Sequence, residues 1–238
     1  MNRSASRVAL LLLLAIARPA PAAKPERPPV LVTIVIDQLA AWIVDERLPF
    51  LPPSGGFARL AREGLRVRDM RYLHALTETL PDHASLYTGA LPSVHGAIAD
   101  DIPRLAACHP GSSPPADPVD SYLIDPNARP LPARDGAPPC AVSLAALRVD
   151  TIADVLRARR PDAVIVSLSL KDRGAIFAGG RRPDVSLWMD GTGAFVSSTA
   201  LVRAIPAWVA PLVEEQQRSL AAGITWELSA PDWIRAHA

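Results

Sequence analysis

Two short runs of consecutive apolar residues limit the folds that are open to this chain. Residues 29–36, PVLVTIVI, end at Asp37, and residues 163–168, AVIVSL, lead into the segment Lys171-Asp172-Arg173-Gly174. Short runs that are rich in β-branched residues and do not alternate are typical of strands covered on both faces of a parallel sheet. Helical patterns alternate with these runs, so the chain is predicted to be an α/β protein with a mainly parallel sheet flanked by helices.

The remaining elements are predicted from periodicity and from turn residues. Gly64 and Gly89 end two of the helices, and Pro81 lies in the first turn of the second. Helices are predicted at 57–63, 81–88, 149–160, from about 174 to 178, and at 206–222. Residues 65–70 are a candidate strand, and residues 185–189 and 194–198 flank the hairpin signal Asp190-Gly191-Thr192-Gly193.

The first 22 residues have the pattern of a secretory signal peptide. Arg3 and Arg7 precede the apolar run 8–17, and Ala20-Pro21-Ala22 has the small residues of a cleavage site. The alternative is a membrane anchor, although a span needs roughly 20 apolar residues. Residues 23–238 are then predicted to be the mature, periplasmic or secreted part, with no membrane span after cleavage.

Residues 102–141 differ in composition from the rest of the chain. They are rich in proline, show no periodicity and contain both cysteines, Cys108 and Cys140. This composition predicts a Pro-rich surface loop inserted into the domain. In an oxidising compartment the two cysteines can form a disulfide, and two free thiols are the alternative.

Charge and composition exclude several classes of function. Apolar residues make up 49% of the 238 residues and the net charge is +1, which fits a globular domain without a basic stripe for nucleic acid. No GxGxxG follows the first strand, and no GxxxxGK[ST] is present, so neither a dinucleotide fold nor a P-loop is predicted.

Two oxygen-bearing side chains are candidates for a catalytic site. Asp37 follows a predicted strand directly, where ligands bind in open α/β sheets, and it suits a metal ion or general-base chemistry; the alternative is a turn cap. Thr79 comes just before the predicted helix that begins at Pro81. Its hydroxyl can attack a phosphorus held at the helix N-terminus, or it can be an ordinary N-cap.

Two cations follow the strand at 163–168. Lys171 and Arg173 are spaced so that both can face one cleft, where an arginine binds phosphoryl oxygens in a bidentate manner. The alternative is a solvated loop. Together with Asp37 and Thr79, these residues suit phosphoryl transfer.

Four motifs resemble the alkaline phosphatase superfamily. They are VTIVIDQ at 32–38, GGFARLAREG at 55–64, TLPDHASLYTGALPSVHG at 79–96 and SLKDRGAIFAGG at 169–180. The resemblance runs from about residue 29 to about residue 210. It is greatest to the bacterial alkaline phosphatases with a threonine nucleophile, which are related to the type I phosphodiesterases and nucleotide pyrophosphatases.

The resemblance implies a role for each candidate residue. Thr79 would be the nucleophile that forms a phospho-threonine, and Asp37 and Thr79 would be ligands in a site for two zinc ions. Lys171 and Arg173 would contact the phosphoryl oxygens of a phosphorylated small molecule, and this pair favours monoesters over diesters.

The chain departs from the family pattern in two ways. Asp100 stands where the family has an asparagine that contacts substrate, and a carboxylate there repels phosphate unless it is protonated or paired with Lys171 or Arg173. The later zinc ligands of the family, a DxxxH motif, a DH pair and a late histidine, have no counterpart among the five histidines (His74, His83, His95, His109, His237).

A zinc site normally needs three or four protein ligands, so the core is expected to be incomplete at the C-terminus. The sequence is therefore interpreted as the N-terminal portion of a phosphate monoesterase. A phosphodiesterase or nucleotide pyrophosphatase, and a non-catalytic exported domain of the same fold, are the alternatives.

The signal-peptide assignment gives a direct test. We expect exported protein to begin near Ala23, because the apolar run and the small residues before it are those that a signal peptidase recognises. N-terminal sequencing of exported material checks this, and recovery of Met1 would contradict it.

Overall fold

The computed structural model describes residues 29–67, 69–103, 105–109 and 119–223, together with residues 232, 235 and 236. The predicted signal peptide lies outside the described residues, as does His237. The chain divides into two units, one that ends at Leu39 and one that begins at Ala40. Within the described ranges, no helix is both long enough and apolar enough to cross a membrane.

The first unit lacks the strand that the sequence predicts. Residues 29–36 have no regular secondary structure, and Val30, Leu31, Val32 and Ile34 are 72 to 85% exposed. No described strand pairs with this segment. The prediction of a buried strand is wrong here because an extended run is buried only when neighbouring strands satisfy its backbone groups and other elements cover its faces.

Helices of the second unit begin and end close to the predicted positions. All five predicted helices are present, with ends within three residues of those expected, and α1 and α4 are additional. The helices are α1 (Ala41–Arg47), α2 (Gly56–Glu63), α3 (Thr79–Thr88), α4 (Pro92–His95), α5 (Ile152–Arg159), α6 (Asp172–Gly179) and α7 (Val209–Ala221). Single 3₁₀ turns cover Leu48–Phe50 and Ala106–Cys108.

In the described part of the chain, eight short strands form one four-stranded sheet and two separate pairs. They are β1 (Asp101–Pro103), β2 (Val119–Ser121), β3 (Ile124–Asp125), β4 (Pro130–Leu131), β5 (Ala141–Val142), β6 (Val166–Leu168), β7 (Val185–Met189) and β8 (Phe195–Ser198). The order in the sheet is β4-β8-β7-β6, while β1 pairs with β2 and β3 with β5.

The α/β class is confirmed, but the sheet is mixed and not mainly parallel. Only β6 and β7 run parallel, with Val166 opposite Val185, whereas β8 runs antiparallel to both of its neighbours. The candidate strand at 65–70 is wrong: its described residues have no regular structure, and Leu65, Val67 and Met70 are exposed. Neither result follows from local sequence, because pairing depends on distant partners.

The predicted hairpin between β7 and β8 is confirmed, and Asp190 stabilises its turn. Trp188 lies opposite Val196. Burial alone would raise the pKa of Asp190, but hydrogen bonds from the hydroxyl and amide of Thr192 and from the amide of Ala194 outweigh burial and lower the pKa to about 2. The carboxylate therefore remains ionised and holds the turn closed.

The Pro-rich segment 102–141 is more than a surface loop. Its described residues include strands β2, β3 and β4 and parts of β1 and β5, and β4 joins the main sheet by pairing Leu131 with Ser197. Cys108 and Leu123 are buried, and a disulfide joins Cys108 to Cys140 with their Cα atoms 5.3 Å apart. Strands of two or three residues leave no periodicity in a sequence, which is why the pattern predicted only a loop. Arg104 and residues 110–118 lie outside the described residues.

The core of the second unit lies where α3 and α6 pack together. Leu80 and Ala84 of α3 and Ile176 and Phe177 of α6 have no exposed surface, and all four belong to one apolar cluster. Gly174 permits the close approach at the start of α6, because a Cβ atom there would lie 2.3 Å from Ser169 Oγ. This contact positions the first turn of α6, and the buried residues of both helices fix how α6 packs on α3.

We expect the disulfide to stabilise the folded chain. It closes a separation of 32 residues, and a loop of that length corresponds to about 3–4 kcal/mol of unfolding free energy in the chain-entropy model. Urea unfolding of the Cys108→Ala/Cys140→Ala protein should show a loss of that size, and reduction of the unaltered chain should reproduce it. Two alkylatable thiols in unreduced exported protein would contradict the pairing.

We expect Gly174→Ala to destabilise the protein by about 1–3 kcal/mol, because the added methyl overpacks the contact with Ser169. Gly191→Ala is the matched control, since a Cβ atom there meets nothing within 4 Å, and it should change stability by less than about 1 kcal/mol. Adding Ser169→Ala to Gly174→Ala should recover part of the loss. Equal stability of the two single variants in urea unfolding would show that the close approach is unimportant.

Candidate active site

Thr79 is the first residue of helix α3. Glu78 takes the cap position with an extended backbone, so the alternative that Thr79 is an N-cap is wrong. Pro81 is the third helical residue, within the first turn, where a missing N–H is tolerated. The Thr79 side chain is half-buried, and its hydroxyl makes no hydrogen bond to another described residue. The hydroxyl is therefore held at a helix start without a competing protein partner in this part of the chain.

His83 fixes the backbone of Thr79 from within the same helix. Its Nδ1 lies 2.8 Å from the Thr79 carbonyl oxygen, and because a carbonyl can only accept, the Nδ1–H donates. The ring is buried and packs near Gly174, with Nε2 3.9 Å from the position a Cβ atom would take there. His83 thus links the backbone of the hydroxyl-bearing residue to the contact between the two helices.

Asp100 and Arg173 meet at the start of α3. The Leu80 N–H donates to Asp100 Oδ1 at 2.7 Å, and Arg173 Nη1 lies 3.1 Å from Asp100 Oδ2. Both side chains are only about one-fifth exposed, at 23% and 21%. The structure therefore brings Asp100 and Arg173 together at the first turn of the helix that begins at Thr79, although the three segments are far apart in the sequence.

Lys171 and Asp172 flank this group at the start of α6. Lys171 is the N-cap residue, and its side chain is exposed. Burial raises the pKa of the Asp172 carboxyl; a hydrogen bond from the Arg173 amide and the charges of Arg173 and Lys171 act in the opposite direction, while the charge of Asp100 adds to the rise. Two cations at a helix N-terminus are unfavourable by themselves, so this segment suits a bound anion.

Three side chains, of which His95 is buried and Ser85 and His74 are partly buried, support α3. The Ala97 N–H donates to His95 Nδ1, so the proton of the neutral ring is on Nε2, which donates to Ser85 Oγ at 3.0 Å. Ser85 Oγ also lies 3.0 Å from His74 Nε2. Burial, and next the charge of His74, lower the pKa of His95, which favours its neutral ring.

Sequence reasoning missed two residues that position the site. Glu78 Oε2 accepts the N–H of Asp100 at 2.7 Å, and His83 binds the Thr79 carbonyl. The spacing of four residues between Thr79 and His83 is a helical signal that could have identified the histidine. The contact of Glu78 with Asp100 could not have been found, because no local pattern links the two positions.

Asp37 lies in the separate unit that ends at Leu39. The Leu39 N–H donates to the Ile36 carbonyl, which makes Asp37 a residue of this turn, and its side chain is exposed. Among the described residues, no three His, Cys, Asp or Glu side chains are grouped so that they could hold a metal ion. The described residues therefore do not form a complete zinc site around Asp37 or Thr79.

A cavity of about 580 Å³ lies beside the disulfide and is bordered by the Pro-rich segment and the sheet. Asp172 lines it, whereas Thr79, Asp100 and Lys171 do not. The other polar residues of its wall include His109, Asp120, Arg134 and Asp190. Asp172 therefore belongs both to the wall of this cavity and to the segment that carries Lys171 and Arg173.

Comparison with known proteins gives sequence matches to a family model and to individual relatives. Residues 31–110 match the model of the type I phosphodiesterase / nucleotide pyrophosphatase family. The chain is 32% identical over 188 residues to alkaline phosphatase PhoV of Synechococcus elongatus, covering 77% of this chain and 32% of that protein. It is also 32% identical over 178 residues to alkaline phosphatase PhoK of a Sphingomonas species, covering 71% of this chain and 28% of that protein.

The fold also matches a solved structure. The crystal structure of wild-type alkaline phosphatase PafA superposes with a TM-score of 0.67 at 23% identity, over 82% of this chain and 36% of that one. The chain thus spans about a third of the length of the curated relatives it matches. Within that span, the sequence matches support the alkaline phosphatase superfamily for this part of the chain, and the structural match shows the same fold.

Proposed function

We propose that this chain carries the nucleophile and the phosphoryl-binding residues of a phosphoric ester hydrolase that acts on phosphorylated small molecules. One observation carries the proposal: helix α3, which begins at Thr79, and Arg173 of α6 meet at Asp100. A hydroxyl at a helix start, close to backbone amides and a guanidinium, is an arrangement that suits attack on a phosphoryl group. The relatives named alkaline phosphatases support the same class of reaction.

The reaction that we propose has two steps. In the first, a bond forms between Thr79 Oγ1 and phosphorus as the ester P–O bond breaks, and the leaving alcohol gains the equivalent of the proton that Thr79 loses. In the second, water hydrolyses the phospho-threonine, which releases inorganic phosphate and restores the hydroxyl. His83 contributes by holding the Thr79 backbone through the carbonyl, so that the hydroxyl keeps its orientation.

Lys171 and Arg173 favour phosphate monoesters within this class. A dianionic phosphoryl group gains more from two cations than the single charge of a diester does. A phosphodiesterase or nucleotide pyrophosphatase is the second candidate, and the family model supports it. A non-catalytic exported domain is a third, favoured by the pairing of Asp100 with Arg173.

Metal dependence, with zinc as the ion, is also part of the proposal. Asp37 and Thr79 are the candidate ligands within the described residues, which is fewer than the three or four that a zinc site normally uses. The remaining ligands would have to come from protein outside the described residues. Zinc would supply activation of the hydroxyl and of the leaving oxygen.

Export to the periplasm or the medium completes the proposal. The signal-peptide pattern of residues 1–22 supports it, and so does the disulfide between Cys108 and Cys140, since such bonds persist in oxidising compartments.

The nucleophile can be tested in a chimera in which residues 29–210 of this chain replace the matching segment of the Synechococcus relative. We expect the chimera to hydrolyse an aryl phosphate monoester, and Thr79→Ala to lower kcat by at least about 10³-fold, because the attacking atom is gone. Thr79→Ser should keep part of the rate. Thr77→Ala, at an exposed position two residues earlier, is the control and should be within about twofold of the parent.

An undiminished rate in the Thr79→Ala chimera would show that Thr79 is not the nucleophile. The 238-residue chain alone should show little turnover even with added zinc, because Asp37 and Thr79 are too few ligands and the described residues hold no group of three that could bind the ion. Robust, chelator-sensitive turnover by that chain would contradict our assignment of the ligands.

A further inference from the structure

The Asp100 carboxylate lies where an anion bound at the start of α3 would lie. One oxygen accepts the Leu80 N–H and the other is bound by Arg173. These are the two kinds of donor, a backbone amide at a helix start and a guanidinium, that bind phosphoryl oxygens. A carboxylate with one oxygen on each donor takes the place of two phosphoryl oxygens.

The position of Asp100 is held by its own backbone. Its N–H donates to Glu78 Oε2 at 2.7 Å, and its carbonyl accepts the N–H of Tyr122 at 2.9 Å. The residue is therefore tied on one side to the cap of α3 and on the other to the strand pair β1–β2. Its carboxylate is directed at the helix by the fold and is not a freely rotating surface charge.

Few other donors remain for a ligand at this helix start. Pro81 has no N–H, and the Asp82 N–H donates to the Glu78 carbonyl. With the Leu80 N–H bound to Asp100, the Thr79 amide is the remaining backbone donor of the first turn. A phosphoryl group that uses Leu80 and Arg173 must therefore displace the carboxylate or remain beside it.

The positive charges around the site are offset by carboxylates. Lys171 and Arg173 provide two positive charges, and the carboxylates are those of Asp100, Asp172 and Glu78, the last of which accepts the Asp100 N–H. With these carboxylates ionised, the Coulomb attraction for a dianion is small; without Asp100 it would be larger, and the gain would scale with the charge of the ligand.

We propose that Asp100 is a specificity-determining residue, an internal anion that competes with the phosphoryl group for Leu80 N–H and Arg173 and selects against dianionic ligands. The inference rests on the proposed function, because it concerns the same binding site. In this inference, Asp100 acts against Lys171 and Arg173. The cations favour phosphate monoesters, and Asp100 shifts the preference back toward singly charged phosphoryl groups.

The test compares two ligands that differ in charge. Dissociation constants of inorganic phosphate and dimethyl phosphate are measured by ³¹P line broadening with the full 238-residue chain, at about pH 8.5, where inorganic phosphate is almost entirely a dianion. Asp100→Asn keeps the shape and an acceptor for the Leu80 N–H but removes the charge. We expect Asp100→Asn to lower the dissociation constant of dimethyl phosphate about fivefold. The dissociation constant of inorganic phosphate should fall by roughly the square of that factor, because the Coulomb energy doubles for a dianion.

Asp101→Asn is the matched control. It removes the same charge one residue along the chain at an exposed position, and should change both constants by less than about twofold, since solvent and salt screen that charge. Asp100→Ser, which retains an acceptor oxygen, serves as a second uncharged variant if Asp100→Asn does not fold, as judged by circular dichroism and thermal unfolding.

Each outcome decides the matter. The inference is supported if the uncharged variants lower the dissociation constant of inorganic phosphate by a larger factor than that of dimethyl phosphate. Equal factors, unchanged constants or weaker binding overturn it, while phosphate binding by the unaltered chain leaves the proposed function standing. Absence of binding in every variant overturns both the inference and the phosphoryl site on which it rests. The role of Thr79 is tested separately by the chimera.

Discussion

The close contact between helices α3 and α6 is the constraint on which the site depends. Gly174 lets the start of α6 lie close to Ser169, because a side chain there would overlap Ser169 Oγ, and it faces His83 of α3 at van der Waals distance. Leu80 and Ala84 of α3 and Ile176 and Phe177 of α6 are fully buried around this point, so neither helix can shift without opening the core. The hydroxyl of Thr79 and the guanidinium of Arg173 are placed by this packing and not by their neighbours in sequence.

The electrostatics of the site follow from the same packing. Arg173 lies at the end of α6 that faces α3, and Asp100 connects the two by binding both the Leu80 amide and the guanidinium. An ion pair that is mostly shielded from water is strong but also expensive to separate. The carboxylate therefore influences which anions can enter, and it bears on all three functional interpretations: monoesterase, diesterase and non-catalytic domain.

Local signals predicted the helices well and the strands poorly. Helix ends are encoded locally: Gly89 takes a left-handed conformation with a φ of 67° after α3, and Thr151 forms a capping box with Asp154 at α5. Strands depend on partners elsewhere in the chain. Residues 29–36 have a strand-like composition but no described pairing partner, whereas the short strands within 102–141 pair although their sequence shows no periodicity.

The sequence by itself determined the helix that begins beside Pro81, the hydroxyl at its start, the cations that follow β6 and the resemblance that connects them, because each of these is a local pattern. Only the tertiary structure decided that Asp100 lies between the Leu80 amide and Arg173, that His83 holds the Thr79 carbonyl and that the sheet is mixed. The pairing of Asp100 with Arg173 requires the chain to fold back so that α6 packs on α3. No short-range rule of sequence encodes such a contact, since the two residues are brought together by burial of the apolar faces of their helices.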